Sequence, residues 1–223
     1  MQVSSALFNK GVALKLREKY EESEKTFLKA IELASDFIAA YIGFIELLLQ
    51  IPGRQKDALQ IAEEIIGRKE ADSALLNSVS WAFYKHRDLS LLRKAEKWAQ
   101  QAVSLSPDNT HIHHTLACIL SALGKGSEAI ESAKRYIQDE ALVEKNIEDS
   151  IGLFVELAAT GHAKAALGLL VNSPVEKHLE PLVVGLKLYI GEDVKTAVEI
   201  RDVAQDVVKK IEELREKRGA VPV

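Results

Sequence analysis

A two-part pattern recurs four times along this chain. Each copy has an upstream mark and then a downstream mark at a small residue, and the four pairs are Gly11 and Ser23, Ile45 and Ala58, Ser80 and Ala95, Ala117 and Ala129. The distance from a downstream mark to the next upstream mark is 22 residues each time (23 to 45, 58 to 80, 95 to 117), whereas the distance within a copy runs 12, 13, 15 and 12. Irregularity confined to one kind of turn is typical of helix pairs, which bury their apolar faces by stacking. The pattern therefore predicts an all-α solenoid.

The apolar residues within one copy have the periodicity of helices. In the first copy they recur three and four positions apart, at Leu7, Gly11, Leu14, Phe27, Ala30 and Ile31. The alternation of β-branched and aromatic residues that is typical of strands is absent. The third copy closes with Pro107, after which Asp108, Asn109 or Thr110 is expected to cap the next helix.

Composition excludes several classes of protein. Lys and Arg number 29 against 33 Asp and Glu, and the two signs are interspersed, which argues against a nucleic-acid-binding stripe. One cysteine, Cys118, excludes an intrachain disulfide framework and is typical of a reducing compartment. The first residues, MQVSSALFNKG, lack the basic flank and the apolar stretch of a secretion signal, so none is expected. No apolar run long enough for a membrane span is expected either. These features predict a cytoplasmic protein.

Residues 4–143 resemble four tetratricopeptide repeats of about 34 residues each. The matching positions in the first, third and fourth copies are Leu7, Lys10, Gly11, Leu14, Tyr20, Ser23, Phe27 and Ala30, then Leu76, Val79, Ser80, Phe83, Ala95, Ala99, Ala102 and Pro107, then His113, Leu116, Ala117, Leu120, Ala129, Ala133 and Tyr136. The second copy departs from the pattern, because Ile45 and Ile65 stand where the family prefers small residues. The resemblance implies a right-handed superhelix of helix pairs that holds partner proteins.

The resemblance also implies which side chains line the concave groove of the superhelix. Carried over to this sequence, the lining residues are Phe8, Val12, Ile42, Glu46, Asn77, Trp81, Tyr84, His111, His114 and Cys118. Phe8 and Val12 stand where the family's carboxylate-binding members have lysine and asparagine, so that kind of ligand is not expected. A largely apolar and aromatic groove suits a helical or extended segment of another protein, with Trp and Tyr as anchors. The alternative is that the chain's own C-terminal helices fill the groove.

A cluster of histidines suggests a metal site, which the spacing argues against. His111, His114 and Cys118 would project from one face of a helix. The first and last of them are about 10 Å apart along the axis, which is too far for one ion to reach all three easily. We therefore expect no metal and no cofactor.

No enzyme signature is complete. Gly124-Lys125-Gly126-Ser127 resembles the end of a phosphate-binding loop, but Ile119 stands where the first glycine would be, and no strand precedes the segment. Cys118 and His114 resemble a nucleophile and its base, without a third group to orient them. The chain is predicted not to be an enzyme.

The repeat pattern decays in residues 144–217. Residues 146–160 and 161–171 read as a degenerate helical hairpin with Ala166 at the small position, and an apolar helix follows at 179–190. The last predicted helix, Val194–Lys217, has a seam at Ala197, Ile200, Ala204, Val207, Ile211 and Leu214. That seam either caps the solenoid or pairs with a second copy to form a homodimer.

At the other end, the first repeat begins within a few residues of Met1. We therefore expect that the chain is a module of a larger protein, or that Met1–Ser5 and a partner cover this end. Together these observations predict a non-catalytic scaffold for protein–protein interaction, with an oligomerising structural or regulatory arm as the alternative.

Overall fold

The computed structural model describes residues 2–68 and 71–219, and within these ranges the chain is helical with no strand. The chain divides into two compact units, Met1–Pro107 and Asp108–Val223. The helices described in the first unit are α1 Gln2–Leu16, α2 Tyr20–Leu33, α3 Ile38–Gln50, α4 Gln55–Ile66, α5 Ser73–His86 and α6 Leu89–Leu105. They pack as the pairs α1–α2, α3–α4 and α5–α6, and the first helices α1, α3 and α5 contact one another in turn. The predicted all-α fold of paired helices is confirmed.

The small residues that mark each repeat lie where the helices of a pair touch. Ser23 on α2 is buried and donates a hydrogen bond to the backbone oxygen of Gly11 on α1, at 2.8 Å. A Cβ atom at Gly11 would lie 2.9 Å from the ring of Phe27. The same ring also reaches the next repeat, because a Cβ at Gly43 on α3 would lie 2.7 Å from it. Gly11 and Gly43 therefore allow the first two repeats to approach closely around the ring of Phe27.

Polar side chains begin several of the helices by capping free backbone N–H groups. Asp72 accepts from the N–H of Leu75 ahead of α5, and Asp88 accepts from the N–H of Leu91 ahead of α6. Of the three candidates after Pro107, Asn109 is the N-cap and accepts from the N–H of His111.

The second unit starts with one more helix pair and continues with less regular elements. Its described helices are α7 Thr110–Ala122, α8 Gly126–Tyr136, α9 Glu140–Lys145, α10 Ile147–Leu157, α11 Ala163–Leu170, α12 Glu180–Tyr189 and α13 Val198–Arg218. A five-residue turn, Ala158–His162, joins α10 to α11 and contains Gly161 at φ 89°. Residues 146–171, where a degenerate hairpin is predicted, contain α10 and α11, and Ala166 on α11 is fully buried.

One stretch, Ile147–Leu170, is long and apolar enough by composition to cross a membrane, contrary to the expectation from the sequence. In the structure it is two helices, α10 and α11, separated by the turn at Gly161, and 61% of its most apolar window is buried inside the protein. The stretch therefore has the character of a core hairpin, whose residues are apolar because they are buried.

The C-terminal helix α13 packs on α12 in the manner of a cap. It begins at Val198, four residues later than predicted, because residues 192–197 run without regular structure after Gly191, where φ is 85°. Ala204, Val207 and Ile211 of the predicted seam are buried, whereas Val203 is 51% exposed. The central part of the seam is therefore occupied within the chain. Homodimerisation through residues 194–217 stays a prediction.

The docking of α13 depends on Gly185 of α12. A Cβ atom there would lie 2.8 Å from Val207 and 2.9 Å from the backbone oxygen of Ala204, so α13 would have to shift. We expect Gly185→Ala to destabilise the second unit by about 1–3 kcal/mol. Hydrogen exchange of the α13 amides measures this. In the matched control, Gly168→Ala on α11, nothing lies within 4 Å of the new Cβ. In this control variant the exchange of the α13 amides should be unchanged or slower. Equal protection of α13 in both variants would contradict the contact between Gly185 and α13.

Candidate functional site

The first helices of the three pairs in unit 1 are joined by a bridge of charges. Glu46 on α3 accepts from Lys15 on α1 and from Lys85 on α5, each at 2.7 Å and each to a different carboxylate oxygen. Lys15 is largely covered, and Glu46 is half-buried. Because one carboxylate holds ammonium groups from two neighbouring helices, these three side chains lie on one surface. We call it the first-helix surface of unit 1.

The bridge has consequences for the charge of this surface. Burial alone would raise the pKa of Glu46, but hydrogen bonds from Lys15 and Lys85 outweigh it and keep the pKa below its usual value. Glu46 is therefore ionised at neutral pH, and two lysines face one carboxylate. A small cavity of about 250 Å³ adjoins the bridge and is also lined by Leu16, Leu49, Gln50, Ala82 and His86.

One turn before the bridge, the same surface becomes apolar. Residues three or four positions apart lie on one face of a helix, so Val12, Ile42 and Trp81 follow the line of Lys15, Glu46 and Lys85. All three apolar side chains are partly exposed. The first-helix surface thus presents an apolar row beside a charged row.

One more turn towards the N-termini of α1 and α5, Phe8 and Asn77 have different surroundings. Phe8 belongs to an aromatic cluster, with its ring centroid 6.1 Å from that of Phe27 and 5.7 Å from that of Phe37, and only part of it is exposed. Asn77 is half-buried, and its Oδ1 has no hydrogen-bond partner among the described residues. Phe8 therefore contributes first to packing between α1, α2 and α3.

Tyr84 lies inside the protein, although it was predicted to line the groove. It is 6% exposed, its ring centroid is 5.0 Å from that of Trp81, and the guanidinium of Arg87 covers the ring at 4.1 Å. Tyr84 supports Trp81 from behind, and the surface that a partner can reach is Trp81.

The three predicted lining residues of unit 2 diverge in the same way. His111 at the start of α7 is exposed, but His114 is 9% exposed and Cys118 is 1% exposed. Helix α10 packs against α7, and the ring of His114 also contacts that of Tyr136 on α8 in a tilted arrangement, with ring centroids 4.5 Å apart. Helices of the same unit therefore cover this part of α7. One of them, α10, comes from the C-terminal part of the chain, which the alternative prediction names as the segment that fills the groove. His114 and Cys118 are interior residues.

His114 and Cys118 form a buried contact of 3.5 Å between Nε2 and Sγ. Burial lowers the pKa of His114 to about 4, with a smaller contribution from His111, so its imidazole is neutral at pH 7. Among the described residues no group of three or more His, Cys, Asp or Glu side chains is placed to hold a metal ion. A thiol and an imidazole in the interior are a packing contact here.

Lys15 and Lys85 are not among the residues predicted to line the groove, although they lie on the same surface. The signal was present, because Lys85 lies four residues after Trp81 and Glu46 lies four residues after Ile42, in the same helical register. Lys15 belongs to the last turn of α1, which continues to Leu16.

Comparison with known proteins supports the repeat assignment. The family model for the tetratricopeptide repeat matches residues 4–37, and no curated protein matches the chain. Among solved structures, a thermophilic tetratricopeptide-repeat protein from Thermus thermophilus is similar, with a TM-score of 0.54 and 17% identity over 92% of this chain and 99% of that chain. At this identity the likeness shows the fold. The predicted resemblance is confirmed, and repeat and fold together support a protein–protein interaction scaffold in general.

Proposed function

We propose that this chain, which has the fold of a tetratricopeptide-repeat protein, is a non-catalytic scaffold whose first-helix surface in unit 1 binds a helical or extended segment of another protein. The observation that carries the proposal is the pair of parallel rows on α1, α3 and α5. The apolar row of Val12, Ile42 and Trp81 provides area to bury, and the adjacent Lys15–Glu46–Lys85 bridge holds the three helices in register.

The proposal places most of the binding energy on Trp81. Tryptophan is prominent among the residues that dominate interfaces, because one large ring removes much apolar area from water at a small entropic cost. Tyr84 packs against the ring and is itself covered by Arg87, so Trp81 is held in place before a partner arrives. Preorganisation of this kind reduces the entropy lost on binding.

The chemistry of the surface indicates an amphipathic partner. Its apolar side chains would cover Val12, Ile42 and Trp81, while its polar side chains would face the charged row, where a single carboxylate is shared by two ammonium groups. We propose a cytoplasmic location, which the single buried thiol, Cys118, supports because it needs no oxidising compartment.

Substitution of Trp81 tests this function. Peptides selected from a display library against the intact chain are titrated with the wild type, Trp81→Ala and Leu105→Ala. We expect Trp81→Ala to weaken binding by about tenfold or more. Leu105 lies on a second helix, α6, and is 54% exposed, so its truncation should change binding less than about twofold.

Thermal unfolding of each variant checks that the fold is kept. Equal loss of affinity in Trp81→Ala and Leu105→Ala would contradict the assigned surface. The assignment would also be contradicted if the library yielded no peptide whose binding depends on Trp81.

A further inference from the structure

The second unit contains a larger cavity, apart from the proposed partner surface. It has a volume of about 710 Å³ and lies where the turn Ala158–His162, the end of α12 and the middle of α13 meet. Its lining comprises Ala158, Gly161, His162, Ala163, Lys164, Ala165, Leu188, Tyr189, Ile190, Val208, Glu212 and Arg215. Cavities of this volume are large enough to hold small organic ligands.

The wide turn between α10 and α11 shapes one wall of the cavity. Gly161 has φ 89°, a conformation that side-chain-bearing residues seldom adopt, and nothing lies within 4 Å of its missing Cβ. His162 follows, and its Nδ1 lies 3.0 Å from the backbone oxygen of Thr160. The ring packs on Gly126, where a Cβ atom would lie 2.1 Å from it. Gly126 belongs to the segment that resembles a phosphate loop, and here it accommodates an imidazole.

The walls of the cavity combine an apolar part with cationic groups. Leu188, Ile190 and Val208 provide aliphatic surface. Lys164 and Arg215 also line the cavity, and Glu212 is on the same wall. Among residues 2–68 and 71–219, no carboxylate lies within ion-pair distance of Lys164 or Arg215. By contrast, Lys177 and Arg218 of the same unit are paired with Glu140 and Glu156.

The position of Arg215 is defined by neighbours other than acids. Its Nη1 donates to the hydroxyl of Tyr189 at 3.4 Å, a long contact that leaves most of the five guanidinium N–H groups available. Two cations and one carboxylate leave the lining with an excess of one positive charge. An aliphatic wall beside a guanidinium is complementary to a molecule that has an apolar body and a carboxylate end.

We infer that this cavity binds a small carboxylate with an apolar body, either a free carboxylic acid or the C-terminal residue of a peptide. Arg215 and Lys164 would hold the carboxylate, while Leu188, Ile190 and Val208 would cover the apolar body. This site is independent of the partner surface on unit 1, so either can fail without the other.

The test uses the intact, isotope-labelled chain and two pairs of probes, followed by changes in amide chemical shifts. Octanoate with its neutral amide represents a free acid, and acetyl-Ala-Leu with its C-terminal amide represents a peptide end. The double variant Lys164→Gln with Arg215→Gln removes the cations of the cavity. The matched control, Lys209→Gln with Lys210→Gln, removes the same charge from exposed positions of α13.

We expect at least one carboxylate probe to shift amides in residues 158–165 and 188–215. The cavity variant should weaken that binding by about tenfold or more, and the control by less than about twofold. Octanoate binding alone identifies a free acid as the ligand, and binding of the dipeptide alone identifies a chain terminus. The proposal is overturned if neither carboxylate shifts these amides, if the neutral amides bind equally well, or if both double variants lose the same affinity.

Discussion

Phe27→Ala is expected to lower the free energy of unfolding of the first unit by about 3–5 kcal/mol. The ring is fully buried, and it touches Gly11 of its own pair and Gly43 of the next pair. Removing it leaves a cavity at the contact between two repeats, and the two glycines have no side chains with which to fill it. Phe8 would also lose its aromatic neighbour, since the two ring centroids are 6.1 Å apart.

Denaturant unfolding followed by tryptophan fluorescence measures this effect. Both tryptophans, Trp81 and Trp98, belong to the first unit, so the signal reports its unfolding. Leu28→Ala is the control, because Leu28 is the next residue on the same helix and is 45% exposed. It should cost less than about 1 kcal/mol. Similar losses for Phe27→Ala and Leu28→Ala would show that Phe27 is not the contact that joins the repeats.

Acidification from pH 7 to pH 5 is expected to cost the second unit about 2 kcal/mol through His114 alone, rising to about 3 kcal/mol near pH 4. Burial lowers the pKa of this imidazole from 6.5 to about 4 in the folded state. The unfolded chain therefore binds a proton between these two values that the folded chain excludes. Stability from this group is complete above pH 6.5 and is lost as the pH falls towards 4.

Urea unfolding at several pH values, followed by circular dichroism, measures this linkage. His114→Gln should remove about 2 kcal/mol of the difference between pH 7 and pH 5, whatever its own stability at pH 7. His111→Gln is the control, because His111 is exposed one turn away on the same helix and makes only the smaller contribution to the lowered pKa of His114. Most of the difference between pH 7 and pH 5 should remain in this variant. The carboxylates with lowered pKa values, such as Asp139 and Glu46, act at lower pH. An unchanged pH dependence in His114→Gln would place the acid sensitivity elsewhere.

The helix pairs could be predicted because their causes are local. Apolar residues three and four positions apart predict a helix with one buried stripe, and the recurrent small marks predict where two helices approach. Gly11 and Ser23 meet through a hydrogen bond, and Ala95 and Ala129 are fully buried, as such marks require. The late start of α13 at Val198 was harder to predict, because no side chain caps that helix.

The lining of the candidate site could be predicted only in part. The sequence pattern identifies which face of a first helix points away from its second helix, and Val12, Ile42, Glu46 and Trp81 are on that surface. It does not identify which neighbour covers the rest of that face. Tyr84 is buried against Trp81 and Arg87. His114 and Cys118 are on α7, which α10 and α8 cover. The sequence alone does not place α10, because the repeat pattern has decayed there.

The sequence by itself determined the class of fold, the order of the helices and the positions of closest approach, because these follow from periodicity and side-chain size within about 35 residues. Only the tertiary structure decided which of the predicted surface residues are exposed, which carboxylate joins Lys15 to Lys85, and where the cavity beside Arg215 lies. Those features depend on helices that are distant along the chain, and burial and electrostatic energy are properties of the assembled neighbours.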